Sequence, residues 1–312
     1  MNENSGSNAF DVLHEHIAIL EELAAKASVE VAKEVSLFKE KTAKAEQKHY
    51  QELLPWERVK LARHSKRPVA SDYIESLFTD FTELHGDRYF KDDQAIIGGV
   101  ARFNGQAVTV IGQQKGKTTK ENIKRNFAMA SPEGYRKALR LMQQAEKFGR
   151  PVVTFIDTPG AYPGMGAEER GQAEAIARNL MEMSQLTVPV VAIVIGEGGS
   201  GGALGLGVAN HVFMLENAIY SVISPEGLSS ILWKDATRAQ EAANIMKLTA
   251  QDLLELSIIE GIIAEPSGGA HRDFETVVFG CKKEIAKSLE SFKKKTPEQI
   301  REERYQKFRQ IG

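Results

Sequence analysis

Val188-Pro189-Val190-Val191-Ala192-Ile193-Val194-Ile195-Gly196 runs directly into Glu197-Gly198-Gly199-Ser200-Gly201-Gly202-Ala203-Leu204-Gly205. The first part is an almost unbroken apolar run rich in β-branched residues, the pattern of a strand covered on both faces. The second part is a glycine-dense turn leading into a helix. Outward from this stretch the same alternation recurs. Short apolar strands are expected at 95–103, 107–112, 152–157, 188–196, 212–215 and 220–223, with helices at 134–148, 167–186, 200–209 and 226–243. Strands this apolar, separated by helices, predict a sheet buried between helical layers and hence an α/β fold.

The flanks read differently. Within 10–38, apolar side chains at Phe10, Leu13, Ile17, Leu20, Ala24, Ala27, Val31 and Phe38 are spaced by threes and fours until Glu34 breaks the pattern. This predicts one helix with a narrow apolar stripe, packed either on a partner helix or back on its own domain. A polar segment, 39–51, leads to Leu54-Pro55-Trp56-Glu57, where Pro55 suits a first helical position. Arg63-His64-Ser65-Lys66-Arg67-Pro68 is a basic breaker before the body of the fold, and the almost wholly polar 291–312 is expected to be a solvated helix or tail. The expected organisation is an N-terminal helical extension at 1–53, a catalytic body at 54–290 and the polar end at 291–312.

The 312 residues, 42% hydrophobic and 26% charged, suit a soluble globular chain with a full core. A net charge of −2 provides no global field toward nucleic acid or an anionic membrane. The single cysteine, Cys281, excludes an internal disulfide framework and a cysteine-based zinc site within the chain. Met1-Asn2-Glu3-Asn4 has no basic stretch leading into an apolar one, so no signal peptide is expected, and no apolar run reaches the roughly 18 residues of a membrane span. A cytoplasmic protein is expected.

Chemistry is expected where strands end and helices begin, because helix N-termini present unpaired N–H groups and the positive end of the dipole. Two segments qualify: Phe155-Ile156-Asp157-Thr158-Pro159-Gly160-Ala161-Tyr162-Pro163-Gly164 and the Gly196–Gly205 stretch. The second satisfies several patterns at once. Gly196, Gly198 and Gly201 spell a dinucleotide fingerprint with Glu216 beyond it, although several strands precede a motif that normally opens its domain. Gly198-Gly199-Ser200-Gly201-Gly202 spells a nucleophile elbow, with Asp235 and His271 following in hydrolase order. In that reading Ser200 is a nucleophile. The glycines also fit simple close packing of helix on strand. Gly112-Gln113-Gln114-Lys115-Gly116-Lys117-Thr118 is one residue short of a phosphate loop, so nucleotide is not expected there. The basic residues around it, among them Lys115, Lys117 and Arg125, fit either a solvated face or the positioning of an anionic ligand's phosphates.

Read with their surroundings, both loops resemble the carboxyltransferase alpha subunits of bacterial multi-subunit acetyl-coenzyme A carboxylase. The resemblance is carried by Leu54-Pro55-Trp56-Glu57-Arg58-Val59, Leu61-Ala62-Arg63-His64 and Phe81-Thr82-Glu83-Leu84-His85-Gly86-Asp87-Arg88. It continues through Thr119-Lys120-Glu121-Asn122-Ile123, Pro132-Glu133-Gly134-Tyr135-Arg136-Lys137-Ala138 and Gly160-Ala161-Tyr162-Pro163-Gly164. Ala167-Glu168-Glu169-Arg170-Gly171-Gln172, the Gly196–Gly205 stretch, Ser221-Val222-Ile223-Ser224-Pro225-Glu226-Gly227 and Gly268-Gly269-Ala270-His271-Arg272 complete it.

The resemblance implies a crotonase-like spiral of ββα units. It also implies a beta subunit, joined as alpha2beta2, that carries a cysteine zinc site and most acyl-coenzyme A contacts, so no metal is expected on this chain. The other implied partners are a biotin carboxyl carrier protein and a biotin carboxylase, with ATP used only at the latter. The implied reaction moves the carboxyl group of carboxybiotin to acetyl-coenzyme A, giving malonyl-coenzyme A for fatty acid biosynthesis. Two oxyanions then need aimed N–H donors, each commonly worth ~10²–10³ in rate. By resemblance, the amides of Gly201 and Gly202 form the hole for the biotin ureido oxygen. Gly160 and Ala161 are candidates for lining the same pocket, and Gly198 and Gly199 for contacting substrate. Ser200 is then a spacer, and valine at 202 is expected to abolish transfer while leaving the fold largely intact. A hydrolase using Ser200, or a non-catalytic scaffold joined through 10–38, are the competing readings.

Overall fold

A computed structural model describes residues 9–25 and 29–311. Contacts divide the chain into two compact units, one ending at Leu54 and one beginning at Pro55.

The first unit holds two helices, α1 (Ala9–Ala24) and α2 (Val29–Gln51), where the sequence predicts one. The two run antiparallel. Phe10 meets His49 and Tyr50, with ring centroids 5.5 and 6.2 Å apart. His14 Nε2 lies 2.7 Å from Glu46 Oε2, and Lys39 Nζ donates to Glu21 Oε1 at 2.7 Å. The narrow stripe is covered within the unit only in part: Ile17 and Ala24 are buried, Leu20, Val31 and Phe38 are exposed, and the polar 39–51 is the continuation of α2. Ala27 of the expected stripe lies outside the described residues.

In the second unit, α3 (Pro55–Ala62) and α4 (Ala70–Leu77) lead to strands β1 (Thr79–Glu83), β2 (Ile96–Phe103) and β3 (Gln106–Gln113). Helices α5 (Thr119–Lys124) and α6 (Pro132–Lys147) precede β4 (Val152–Thr158). Next come α7 (Met165–Glu169), α8 (Gln172–Gln185), β5 (Val190–Gly199) and α9 (Ser200–Leu204). Strands β6 (His211–Leu215) and β7 (Ile219–Ser221) are followed by α10 (Pro225–Trp233), α11 (Ala239–Ile245) and α12 (Ala250–Glu255). Strand β8 (Gly261–Ile263), α13 (Phe274–Phe292) and α14 (Pro297–Ile311) complete the unit.

The strands form one mixed sheet in the order β1-β2-β3-β4-β5-β6-β8, with β7 on β5. β1, β2 and β3 pair antiparallel, and from β3 onward every pairing is parallel. β4 is buried at every residue and β5 at all but its last, as expected for parallel strands covered on both faces. Three expected helices are shorter or divided. Gly171, at φ 81, separates α7 from α8, and Lys234, at φ 56, ends α10. The helix expected at 200–209 stops at Leu204. Two strands escape sequence reading: β1 is polar and largely exposed, and β8 has only 3 residues.

The polar C-terminal stretch is helical but not wholly solvated. Ile300 and Arg304 of α14 are buried, and Arg304 donates to the carbonyls of Met183, Leu186 and Val188 and to Asn210 Oδ1. Among the described residues, no helix is long and apolar enough to cross a membrane.

Candidate active site

The site begins with a fault in the sheet. β4 and β5 pair regularly from Val152↔Val190 to Ile156↔Val194, and the next pair is Thr158↔Gly198. One residue of β4 therefore faces three of β5, and the strands separate. β5 also changes its other neighbour, pairing with β6 through Val194 and with β7 from Glu197. A crevice at the carboxyl ends of parallel strands is where α/β sheets hold ligands.

Polar side chains replace the missing ladder bonds. Asp157 Oδ1 accepts from the Glu197 amide at 2.9 Å and from Lys115 Nζ at 2.7 Å. Lys115 is also 3.5 Å from Glu197 Oε2, and Glu197 accepts from Arg63 Nε at 2.7 Å. Burial opposes the Lys115 ammonium, but Asp157 and Glu197 outweigh it and hold its pKa above the ordinary lysine value. Arg63 reaches on to Glu226 at 2.6 Å. Deeper in the unit, Arg67 pairs with the fully buried Glu265 and donates to the Ile195 carbonyl at 2.6 Å.

The two glycine loops meet above this network. A Cβ on Gly199 would stand 2.2 Å from the Pro159 oxygen, and one on Gly202 would stand 2.5 Å from Ala161 N and Gly160 C. Glycine at 199 and 202 is therefore required for backbone to lie on backbone. Gly160, at φ 156, has open space beside it, and Gly201 meets only Ile176 Cγ2, at 3.6 Å. Ser200 takes φ 54, turning the strand sharply into α9. With Gly199 as N-cap, Gly201 and Gly202 occupy the second and third helical positions, whose amides have no carbonyl four residues back within the helix.

The sequence-selected residues separate into three groups here. Gly199, Gly201, Gly202, Gly160 and Ala161 are brought together. Gly198 is buried against the Tyr220 ring, where a Cβ would fall 2.7 Å from Cδ2, so it serves packing between β5 and β7. The Gly160 amide is engaged within its own loop, donating to Thr158 Oγ1 at 3.2 Å. Of the basic residues, Lys115 is internally neutralised, Lys117 pairs with Asp72 at 2.5 Å on the surface, and half-buried Arg125 donates to the Gln94 carbonyl at 2.8 Å. Valine at 202 is not the clean probe the sequence implies, since its first carbon already collides with the neighbouring loop.

Two cavities border the junction. One, of about 550 Å³, is lined by Ser200, Gly201, Leu204, Tyr220 and Ile258 among others, and is almost wholly apolar. The other, of about 450 Å³, is lined by Arg63, Arg67, Lys115, Asp157, Pro159 and Glu197 among others, and is the more polar of the two. Among the described residues, no group of three or more His, Cys, Asp or Glu side chains is arranged to hold a metal ion.

The chain matches the family described as acetyl co-enzyme A carboxylase carboxyltransferase-like over residues 7–312. It is 58% identical over 300 residues to the acetyl-coenzyme A carboxylase carboxyl transferase subunit alpha of Geobacillus sp. (strain WCH70), covering 96% of this chain and 92% of that one. This chain belongs to the acetyl-coenzyme A carboxylase carboxyltransferase alpha-subunit family. The alpha subunit of Staphylococcus saprophyticus is likewise 58% identical over 296 residues, covering 95% of this chain and 94% of its own. Among solved structures, transcarboxylase 12S, with methylmalonyl-coenzyme A and methylmalonic acid bound, superposes with a TM-score of 0.57 at 19% identity. That match covers 71% of this chain and 41% of the transcarboxylase chain, and the likeness is one of fold, the crotonase-like α/β architecture of carboxyltransferase domains.

The carboxyltransferase family fits the site where the hydrolase reading fails. Among the described residues, no hydrogen bond joins Ser200 to a histidine. Exposed Asp235 accepts from Thr237 N and Oγ1, and His271 stacks on His64 with ring centroids 4.1 Å apart. The cavity beside Ser200 contains neither histidine nor carboxylate in its lining. Glu216, the residue a dinucleotide reading needs at a ribose, accepts from the Glu265 amide at 3.0 Å.

Sequence reading passed over the side chains that join the loops. Gln113 Nε2 donates to the Gly202 carbonyl at 2.7 Å, and its Oε1 accepts from the Asp157 amide at 3.2 Å. Gln172 Nε2 donates to the carbonyls of Ala130 and Tyr162, at 2.8 and 2.9 Å. The one available signal was a polar residue at the end of an apolar strand, Gln113 after Val110-Ile111-Gly112.

His271 gives this region a pH dependence. Burial, then the nearby His64 and Arg67, push its pKa down to about 4, against about 6.5 in an unfolded chain. The unfolded state therefore binds the extra proton between those values, so stability is full above about 6.5 and falls as pH drops toward 4. In thermal melts across this window, His271→Gln is expected to lose less stability on acidification than the parent. Parallel curves would remove His271 as a source of the acid sensitivity.

Proposed function

We propose that this chain is the alpha half of a carboxyltransferase that works with a beta subunit as alpha2beta2. Together they move the carboxyl group of carboxybiotin, presented on a biotin carrier protein, to acetyl-coenzyme A, and so supply malonyl-coenzyme A for fatty acid synthesis in the cytoplasm. In this reading the beta subunit contributes a cysteine zinc site, and ATP is used only at the biotin carboxylase that recharges the carrier.

The observation that carries the reading is the meeting of the Pro159–Ala161 and Gly199–Gly202 backbones at the split between β4 and β5, beside an apolar cavity. Carboxybiotin supplies the transferable carboxyl group and, after its loss, a ureido oxygen bearing negative charge. The amides of Gly201 and Gly202 donate to that oxygen, held in line by the first turn of α9. Leu204, Tyr220 and Ile258 exclude water, which strengthens each of those hydrogen bonds. Ala161 and Gly160 form the opposing rim, where the open side of Gly160 admits the ring closely. Lys117 and Arg125, near the surface, offer positive charge to coenzyme A phosphates, a role that internally paired Lys115 does not share. Ser200 supplies the turn and no nucleophile.

The test is reconstitution with and without the zinc-bearing beta subunit, following malonyl-coenzyme A formation from carboxybiotin. Product is expected only when both chains are present. Full activity from this chain alone, or none with its partner, would count against the proposal.

A further inference from the structure

The side chain of Gln113 has geometry beyond that of a buried filler. It closes β3, is fully buried, and lies where the β4–β5 ladder fails. The Asp157 amide is the backbone donor of the single β4 residue left without a register partner on β5, and it donates to Gln113 Oε1 at 3.2 Å. The Gly202 carbonyl, in the first turn of α9, accepts from Gln113 Nε2 at 2.7 Å and from the Tyr135 hydroxyl at 3.3 Å. Donor on one side and acceptor on the other fix which way the amide faces. One side chain thus holds the end of β4 and the first turn of α9 at a set separation.

We infer that Gln113 is a positioning residue for carboxyl transfer, orienting the first turn of α9 and with it the amides of Gly201 and Gly202. The inference rests on the function proposed above. Gln113 does not touch substrate. Its action is through the Gly202 carbonyl, which anchors the first turn of the helix that carries the Gly201 and Gly202 amides. A misplacement of about 1 Å at such a site is enough to cost ~10² in rate.

The test compares Q113E and Q113M with the parent, each reconstituted with the beta subunit, measuring kcat and KM for the acyl-coenzyme A from pH 8 to pH 6, with melting temperatures alongside. An ionised carboxylate at 113 can accept from Asp157 N but repels the Gly202 carbonyl. A protonated one reproduces both bonds of the amide, its O–H donating to Gly202. The polar side chains around it are Tyr135 on α6, kept neutral by burial, Asp157 on β4 and, through Asp157, Lys115. Burial raises the pKa of the introduced carboxyl.

At pH 8 both variants are expected to lose about tenfold to a hundredfold in kcat, with KM within about twofold of the parent. As pH falls, the ratio of Q113E to parent should climb while the ratio for Q113M stays flat. A merely structural role would lower both variants equally at every pH, in step with melting temperature, and would overturn the inference. So would parental kcat in Q113M, which also carries the test should Q113E not fold. The parental rate is read independently: if the assembled parent transfers no carboxyl group, the proposed function is what fails.

Discussion

Gly201→Val is expected to fold like the parent and to lose carboxyl transfer by about 10²-fold, because a side chain there holds the ureido oxygen away from a donor worth about that much. The space around Gly201 makes the separation of effects possible. A Cβ there meets only Ile176 Cγ2, at 3.6 Å, so the helix accommodates it, whereas the cavity wall it joins is where the ureido ring is proposed to rest. Gly201→Ala should show a smaller loss in the same direction. Gly202→Ala provides the contrast. Its Cβ would lie 2.5 Å from Ala161 N and Gly160 C, which are backbone atoms with no rotamer to change. That variant should lose stability, by about 1–3 kcal/mol for overpacking, together with activity. Malonyl-coenzyme A assays and melts on both variants, assembled with the beta subunit, separate the two effects. Parental turnover in Gly201→Val would mean that substrate does not approach α9 from this side.

Arg304→Ala should produce the largest loss of stability. Its guanidinium is fully buried and donates to the Met183 carbonyl at the end of α8, to the Leu186 and Val188 carbonyls in the α8–β5 connection, and to Asn210 Oδ1 at 2.5 Å. Burial pushes its pKa down only to about 10, so it remains charged at neutral pH, countered by those dipoles. Truncation leaves several buried acceptors without donors, a cost on the order of 3–5 kcal/mol. For a unit of this size that corresponds to roughly 10 °C in Tm. Arg304→Lys should recover little, because an ammonium lacks the planar fork that reaches four acceptors. A melt within about 2 °C of the parent would show that α14 docks without this anchor.

The apolar runs at 152–157 and 188–196 were legible as buried strands because burial on both faces leaves no polar alternation to obscure them. β1 was not, since an edge strand with a solvated face carries the composition of a loop. The N-terminal stripe was legible as helix, but the sequence carries no periodic mark for a hairpin in which Phe10 and His14 meet His49, Tyr50 and Glu46 of the polar stretch beyond it. In the polar tail, Arg304 is buried while Arg301 and Arg309 are exposed, and composition cannot distinguish the anchor from its neighbours.

The two glycine loops could be found in the sequence because absence of a side chain is itself the chemical signal: only glycine lets backbone lie on backbone at 199 and 202. Sequence alone therefore determined the α/β class and the segments that meet at the candidate site. Tertiary structure alone decided that Lys115 is neutralised by Asp157 and Glu197, that Gly198 packs on Tyr220, and that Gln113 joins β4 to α9. Hydrophobic burial follows local patterns along the chain, whereas a hydrogen bond between residues 89 positions apart exists only after the sheet has brought its strand ends together.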